Sequence, residues 1–174
     1  MKNLFLVALV VFFTSPLFAQ TSTEVSRDEY GNKILKGMID KKQLATDTAF
    51  SWYTQNTKSF TPAADVVKKY NEGKEGISLV VFGGTWCDDT KQLLPKFFAT
   101  TDAAGFPESH ITLIGVDRSK KSLFNLTEAF AVTNVPTIIV MKDGKEVGRV
   151  VEYGKIGSPE KEVADIIASA AKKP

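Results

Sequence analysis

FGGTWCDDTK, Phe82 to Lys91, holds the one cysteine of this 174-residue chain. It is preceded by ISLVVF (Ile77 to Phe82), an apolar run of strand length interrupted only by Ser78, the pattern of a β-strand buried on both faces. From Asp88 through Phe98 the apolar residues Leu93, Leu94, Phe97 and Phe98 recur at helical spacing, with Pro95 expected to kink the helix. Gly83 and Gly84 let the backbone turn from strand into helix. A cysteine at such a junction usually has a second one three residues on, and here that place is Thr90. The stretch therefore predicts an α/β fold with a lone thiol at a helix amino terminus.

The flanking sequence extends this pattern. Upstream, TPAADVVKKYNEGKEG predicts a helix with Thr61 as cap and Pro62 at the first helical position. Downstream, Ile111 to Val116 reads as a second buried strand and SLFNLTEAFAV as a helix. VPTIIVMKDGKEVGRVVEYG predicts a hairpin turning at Asp143-Gly144. SPEKEVADIIASAAKK closes the chain as an amphipathic helix, with Ser158 as cap and Pro159 first in the helix. Strands alternating with helices, then a hairpin and a last helix, indicate an α/β sandwich around a mixed sheet.

Three segments are expected. Lys2, the apolar Leu4 to Phe13 and the small-residue exit Ser15 to Ala19 form the pattern of a cleavable signal peptide, residues 1–19, too short for a membrane span. That pattern predicts a periplasmic or secreted protein with no membrane span after processing. Residues 20–60 read as an N-terminal extension: a polar flexible tether to about residue 32, a short strand in KILKGMI, and a helix in DKKQLATDTAFSWYTQN capped by Asp40. Phe50, Trp52, Tyr53 and Phe60 are expected to pack onto the main domain, residues 61–174.

Several functions are excluded by composition. With 22 basic and 20 acidic side chains, nothing points to nucleic acid or an anionic membrane surface. One cysteine permits no internal disulfide, so stability must come from packing. His110, the only histidine, precedes its strand and falls at the opposite end of the sheet from Cys87, roughly 20 Å away at ~3.3 Å per residue. No Cys–His couple and no zinc site follow, and no cofactor is expected.

At a helix amino terminus a thiol faces unpaired N–H groups and the positive end of the dipole, which favour the thiolate. Thr90, on the same face of the first turn, is expected to donate a hydrogen bond to the sulfur. Asp88 and Asp89 suit that turn as caps and solubilising charges, and they oppose a second negative charge on Cys87. Most free cysteines are small buried hydrophobes, but a turn between Trp86 and two aspartates is no core position. Asp117 and Arg118 leave the carboxyl end of the neighbouring strand, either to shape the site or as a solvated turn.

From Thr61 onward these residues resemble the thioredoxin-like family. Trp86-Cys87 looks like the start of its W-C-x-x-C motif, Val135-Pro136-Thr137 like its cis-proline segment, and IIVMKDGKEVGRVVEYG is similar to its terminal hairpin. More narrowly, FGGTWCDDTKQLLPKF resembles secreted thioredoxin-like proteins of Bacteroidetes-type bacteria with a W-C-x-D-T site. The resemblance implies a thioredoxin-like sandwich, a central mixed β-sheet flanked by helices, with the N-terminal extension added. It also implies a substrate groove of Gly84, Trp86, Val135 and Pro136 around Cys87. Three departures stand out: Thr90 replaces the resolving cysteine, Val81 a buried aspartate, and Leu113 the lysine that partners it. The second thiol and its proton relay are absent together, which marks the site as monothiol.

One thiolate suffices to attack a disulfide, but it cannot release itself by internal exchange. The expected function is an envelope thiol–disulfide oxidoreductase that reduces or isomerises through mixed disulfides. Its partners would be disulfide-containing or unfolded envelope proteins, with an external thiol as reductant. A non-catalytic peptide-binding or chaperone-like module is the second reading. A redox sensor, oxidised or capped at Cys87, is the third.

Overall fold

The computed structural model describes residues 22–172, so the expected leader at residues 1–19 lies outside them. The strands are β1 (Thr23–Arg27), β2 (Lys33–Ile39), β3 (Ile77–Gly83), β4 (Ile111–Gly115), β5 (Thr137–Lys142) and β6 (Lys145–Val151). The helices are α1 (Lys41–Thr46), α2 (Ser51–Lys58), α3 (Ala64–Gly73), α4 (Asp88–Ala103), α5 (Leu126–Ala129) and α6 (Pro159–Ala171). All six strands form one mixed sheet in the order β1-β2-β4-β3-β5-β6. Only β3 and β4 run parallel, joined by the α4 crossover that such a pair requires.

Strand alternation divides the interior into two cores. Ile77, Leu79 and Val81 of β3, Leu113 of β4, and Ile138 and Val140 of β5 join the larger cluster, with residues of α3, α4 and α6. Their neighbours Phe82, Ile114 and Ile139 face the other way, toward Val132, Val135, Leu126 and Phe130. The central strands are thus apolar on both faces, as their hydrophobic runs predict.

The extension is part of this sheet. β2 pairs with β4, and Leu35, Ile39, Leu44, Phe50 and Tyr53 enter the larger core. Asp40 caps α1 through a reciprocal capping box with Gln43. Pro95 has no N–H to give the Lys91 carbonyl four residues back. Asn56 of α2 donates its side-chain amide to that carbonyl at 2.8 Å, so the extension fills the vacancy that the proline creates in α4.

The structure departs from the sequence pattern in four places. Residues 23–27, expected as tether, are an edge strand, held by pairing with β2 rather than by burial of their own side chains. The helix expected across residues 40–56 breaks at Asp47, whose carboxylate accepts from Ala49 N–H and starts a new turn. α3 begins at Ala64 rather than Pro62, because the first carbonyl to accept helical N–H groups is that of Ala63, and Thr61 caps nothing. α5 keeps only four residues, since Phe124 and Asn125 take left-handed φ values of 57° and 53° that a right-handed helix cannot continue through.

Candidate functional site

β3 ends at Gly83, and the chain reverses through Gly84-Thr85-Trp86-Cys87, with Cys87 N–H donating to the Gly84 carbonyl at 2.9 Å. A Cβ on Gly84 would meet the Trp86 indole at 2.8 Å, so glycine is what lets the ring lie against the turn. Thr85 is buried and fixes the turn from behind. Its hydroxyl donates to the Lys33 carbonyl at 2.9 Å and accepts from Leu35 N–H at 3.2 Å, both in β2. The extension therefore holds the loop that carries the cysteine.

Cys87 is the N-cap of α4, half-buried, with its carbonyl already accepting from Lys91 N–H. Its thiol donates to the Val135 carbonyl at 3.5 Å. The Val135–Pro136 peptide bond is cis, and both residues are buried beneath the sulfur. Gly84, Trp86, Val135 and Pro136 are thus gathered around Cys87. Among the described residues no group of His, Cys, Asp and Glu is placed to hold a metal ion. His110 lies before β4, edge-on to Phe106, in line with the geometry expected of it.

Thr90 is placed differently from its expected hydrogen bond to sulfur. It is 2% exposed, and its hydroxyl accepts from Gly84 N–H at 3.2 Å. The side chain ties the turn to the helix instead of touching the thiol. Val81 and Leu113, the residues standing where the resemblance implies an aspartate and its lysine, are register partners in β3 and β4 and are both buried in the larger core. Neither of these two side chains can carry a proton.

Both aspartates have partners, one within the same helical turn and one remote in the sequence. Asp88 accepts from Lys91 at 2.9 Å, and that ammonium holds its carboxyl below the usual range. Asp89 accepts from the Tyr153 hydroxyl at 2.9 Å. This bond, with burial and the neighbouring negative charges, pushes the phenol upward, so Tyr153 stays a donor.

On the other side of the cysteine, the β1–β2 loop reaches the site. The Arg118 guanidinium lies 5.1 Å from both the Trp86 and Tyr30 ring centres, flanked by the two aromatic faces. Its Nε donates to Asp28 at 2.7 Å. Trp86 Nε1 donates to the Val116 carbonyl at 3.0 Å, which fixes the indole edge. Asp117 pairs with Lys36 at 2.8 Å; burial opposes its ionisation, but Lys36 and backbone N–H groups hold its carboxyl below the usual range. No local sequence pattern marks Thr85, Asp28, Tyr30 or Tyr153 as part of the site. Tyr153 stands 64 residues from Asp89, and no local pattern joins them.

The Asp28 contact gives a pH-dependent prediction. Coverage by its own loop raises the Asp28 carboxyl, but hydrogen bonds from Asn32 and Arg118 outweigh that and hold it down at about 2. A carboxylate depressed on folding contributes fully above its ordinary value of 3.8, and the contribution is lost as pH falls through about 2. Acrylamide quenching of Trp86, read in a Trp52→Phe background, is expected to rise over that window. In Asp28→Ala it is expected to be raised already at neutral pH; unchanged quenching there would detach the loop from the site.

The family model described as Thioredoxin matches residues 56–167. Over 74 residues the chain is 37% identical to the thioredoxin of Chlamydia trachomatis and 40% identical to that of Chlamydia muridarum, covering 42% of this chain and 67% of each relative. Among solved structures it is similar to the thioredoxin of Fasciola hepatica, with 27% identity and a TM-score of 0.39 over 63% of this chain and 93% of the other. The matched span runs from α2 into α6 and includes Trp86, Cys87, Val135 and Pro136. The chain belongs to the thioredoxin family.

Proposed function

We propose that this protein is a monothiol thiol–disulfide exchange protein of the bacterial envelope, acting through Cys87. The observation that carries the reading is the half-exposed thiol at the amino end of α4, seated on the Val135 carbonyl beside a cis proline. The cleft offers an incoming chain the Val135 backbone along one side and Trp86 on the other. The envelope location rests on the leader-like residues 1–19, and among the described residues no helix is long and apolar enough to cross a membrane.

The chemistry balances without a cofactor. The Cys87 thiolate attacks one sulfur of a substrate disulfide; the substrate S–S bond breaks, a Cys87–substrate S–S bond forms, and the other substrate sulfur leaves as a thiolate that takes a proton from water. In isomerisation a second substrate thiolate attacks the mixed disulfide, returns Cys87 as thiolate and consumes no electrons. In net reduction an external dithiol supplies the two electrons and ends as a disulfide. Thr90 offers no sulfur for an internal route, and its place in the site is to hold the Gly84 turn against α4.

The test is a single-turnover reaction between the processed protein and two peptides joined by one intermolecular disulfide, quenched in acid and read by intact mass. A Cys87–peptide adduct is expected to accumulate and to clear only after an external thiol is added. Absence of any adduct over hours, with the fold intact, would overturn the exchange reading.

A further inference from the structure

Cys87 sits between two lips, the first turn of α4 and the Val135–Pro136 segment, and one short turn spans both. After β6, Glu152 takes a φ of 53°, in the left-handed region that non-glycine residues rarely occupy. Its N–H donates to the Pro136 carbonyl at 2.7 Å, which pins the turn to the proline lip. The next residue, Tyr153, reaches across and donates from its hydroxyl to Asp89 at 2.9 Å, on the helix lip two residues past the thiol. Tyr153 as a whole remains 40% exposed. Tyr153 thus gives up rotamer freedom to bridge two segments, next to a residue held in a sparsely populated backbone conformation. The opposite flank of the cysteine is closed by Trp86, Arg118 and Tyr30.

We infer that Tyr153, latched to Asp89, is the specificity-determining residue of the Cys87 site and restricts it to disulfides in small molecules or extended, unfolded segments. A folded domain cannot bring a disulfide past the bridging ring, whereas a narrow chain passes between the two aromatic flanks. Asp89 acts here through Tyr153, as a positioning residue. The inference rests on the exchange reading for its substrate class, but the restriction itself is a property of access to the thiol.

The experiment compares the wild type with Tyr153→Phe, Tyr153→Ala, Asp89→Ala and Asp89→Asn, after thermal melts confirm folding. Second-order rates of mixed-disulfide formation are measured with a small disulfide (2-hydroxyethyl disulfide), an unfolded disulfide peptide and native insulin. In Tyr153→Ala the insulin rate is expected to rise about five- to tenfold, the factor set by losing one hydrogen bond. The small-disulfide rate is expected to stay within about twofold, since the thiol itself is untouched. Tyr153→Phe and Asp89→Ala should shift the ratio of the two rates in the same direction. Asp89→Asn, whose amide oxygen still accepts the bond, should keep the wild-type ratio. A ratio unchanged in Tyr153→Ala and Tyr153→Phe, or small-disulfide rates rising in parallel with insulin, would overturn the inference.

Alkylation separates this failure from failure of exchange. Rates with N-ethylmaleimide and the bulky N-(1-pyrenyl)maleimide report access without any disulfide chemistry. If the wild type forms no mixed disulfide but Tyr153→Ala selectively accelerates the bulky reagent, the exchange reading falls and the access restriction stands. If neither the disulfide nor the maleimide ratio moves, the restriction falls.

Discussion

Cys87→Ser is expected to abolish mixed-disulfide formation while leaving the fold intact. The chain has one sulfhydryl, so no other residue can form the adduct. The substitution is also mild. Cys87 is a half-buried N-cap that makes no side-chain capping bond, and serine is among the better N-cap residues. The melting temperature should therefore hold or rise slightly, and a lost adduct then reports chemistry rather than unfolding. The same variant separates exchange from peptide holding: extended-peptide binding that survives unchanged, in a protein whose wild type forms no adduct, would leave the thioredoxin fold as a binding surface. Thr90→Cys is the converse. Residues three apart on a helical turn are near enough for a disulfide, and a thiol there would complete a two-cysteine motif. Catalysed reduction of an unfolded disulfide peptide by dithiothreitol is expected to appear in that variant. If it does not, the apolar Val81–Leu113 pair, which offers the second thiol no proton relay, becomes the limiting feature.

The place of Cys87 between β3 and α4 was legible because its signals are local. The apolar run of β3, the glycine turn and the helical spacing after Asp88 each follow from a few adjacent residues, and they place Cys87 without reference to the rest of the chain. β2 came out with the boundaries its sequence suggests for the same reason. β1 did not, because TEVSR buries almost nothing and is a strand only by virtue of its partner. The partners of the site residues were hidden for a related reason. Asp89 meets Tyr153, Trp86 meets Arg118 and Tyr30, and Thr85 meets Lys33 and Leu35, each across tens of residues that no period connects. Thr90 was the one site residue whose hydrogen bond went elsewhere. Helical periodicity puts it on the right face but does not reveal that the Gly84 N–H competes for its oxygen.

The extension itself supplies the second large effect. Phe50→Ala is expected to destabilise the whole protein by about 3–5 kcal/mol, the usual cost of removing a buried phenylalanine and leaving its cavity. Phe50 is 1% exposed, packs edge-on to Trp52 at 6.3 Å, and belongs to the same cluster as Leu94, Phe97 and Val81 of the central layers. Tyr53, three residues on, stacks edge-on against Phe98 of α4 at 6.1 Å. Domains are stable by only ~5–15 kcal/mol, so this single truncation removes a large share. Urea unfolding should show one transition with an unchanged slope and a lower midpoint, because no separate unit exists to melt first. An appendage that merely rests on the main domain would behave otherwise: two transitions, or a loss below ~1 kcal/mol. The same variant should also quicken Cys87 alkylation under native conditions. Thr85 holds the cysteine turn through β2, and lower global stability raises the fraction of molecules in which that turn is open.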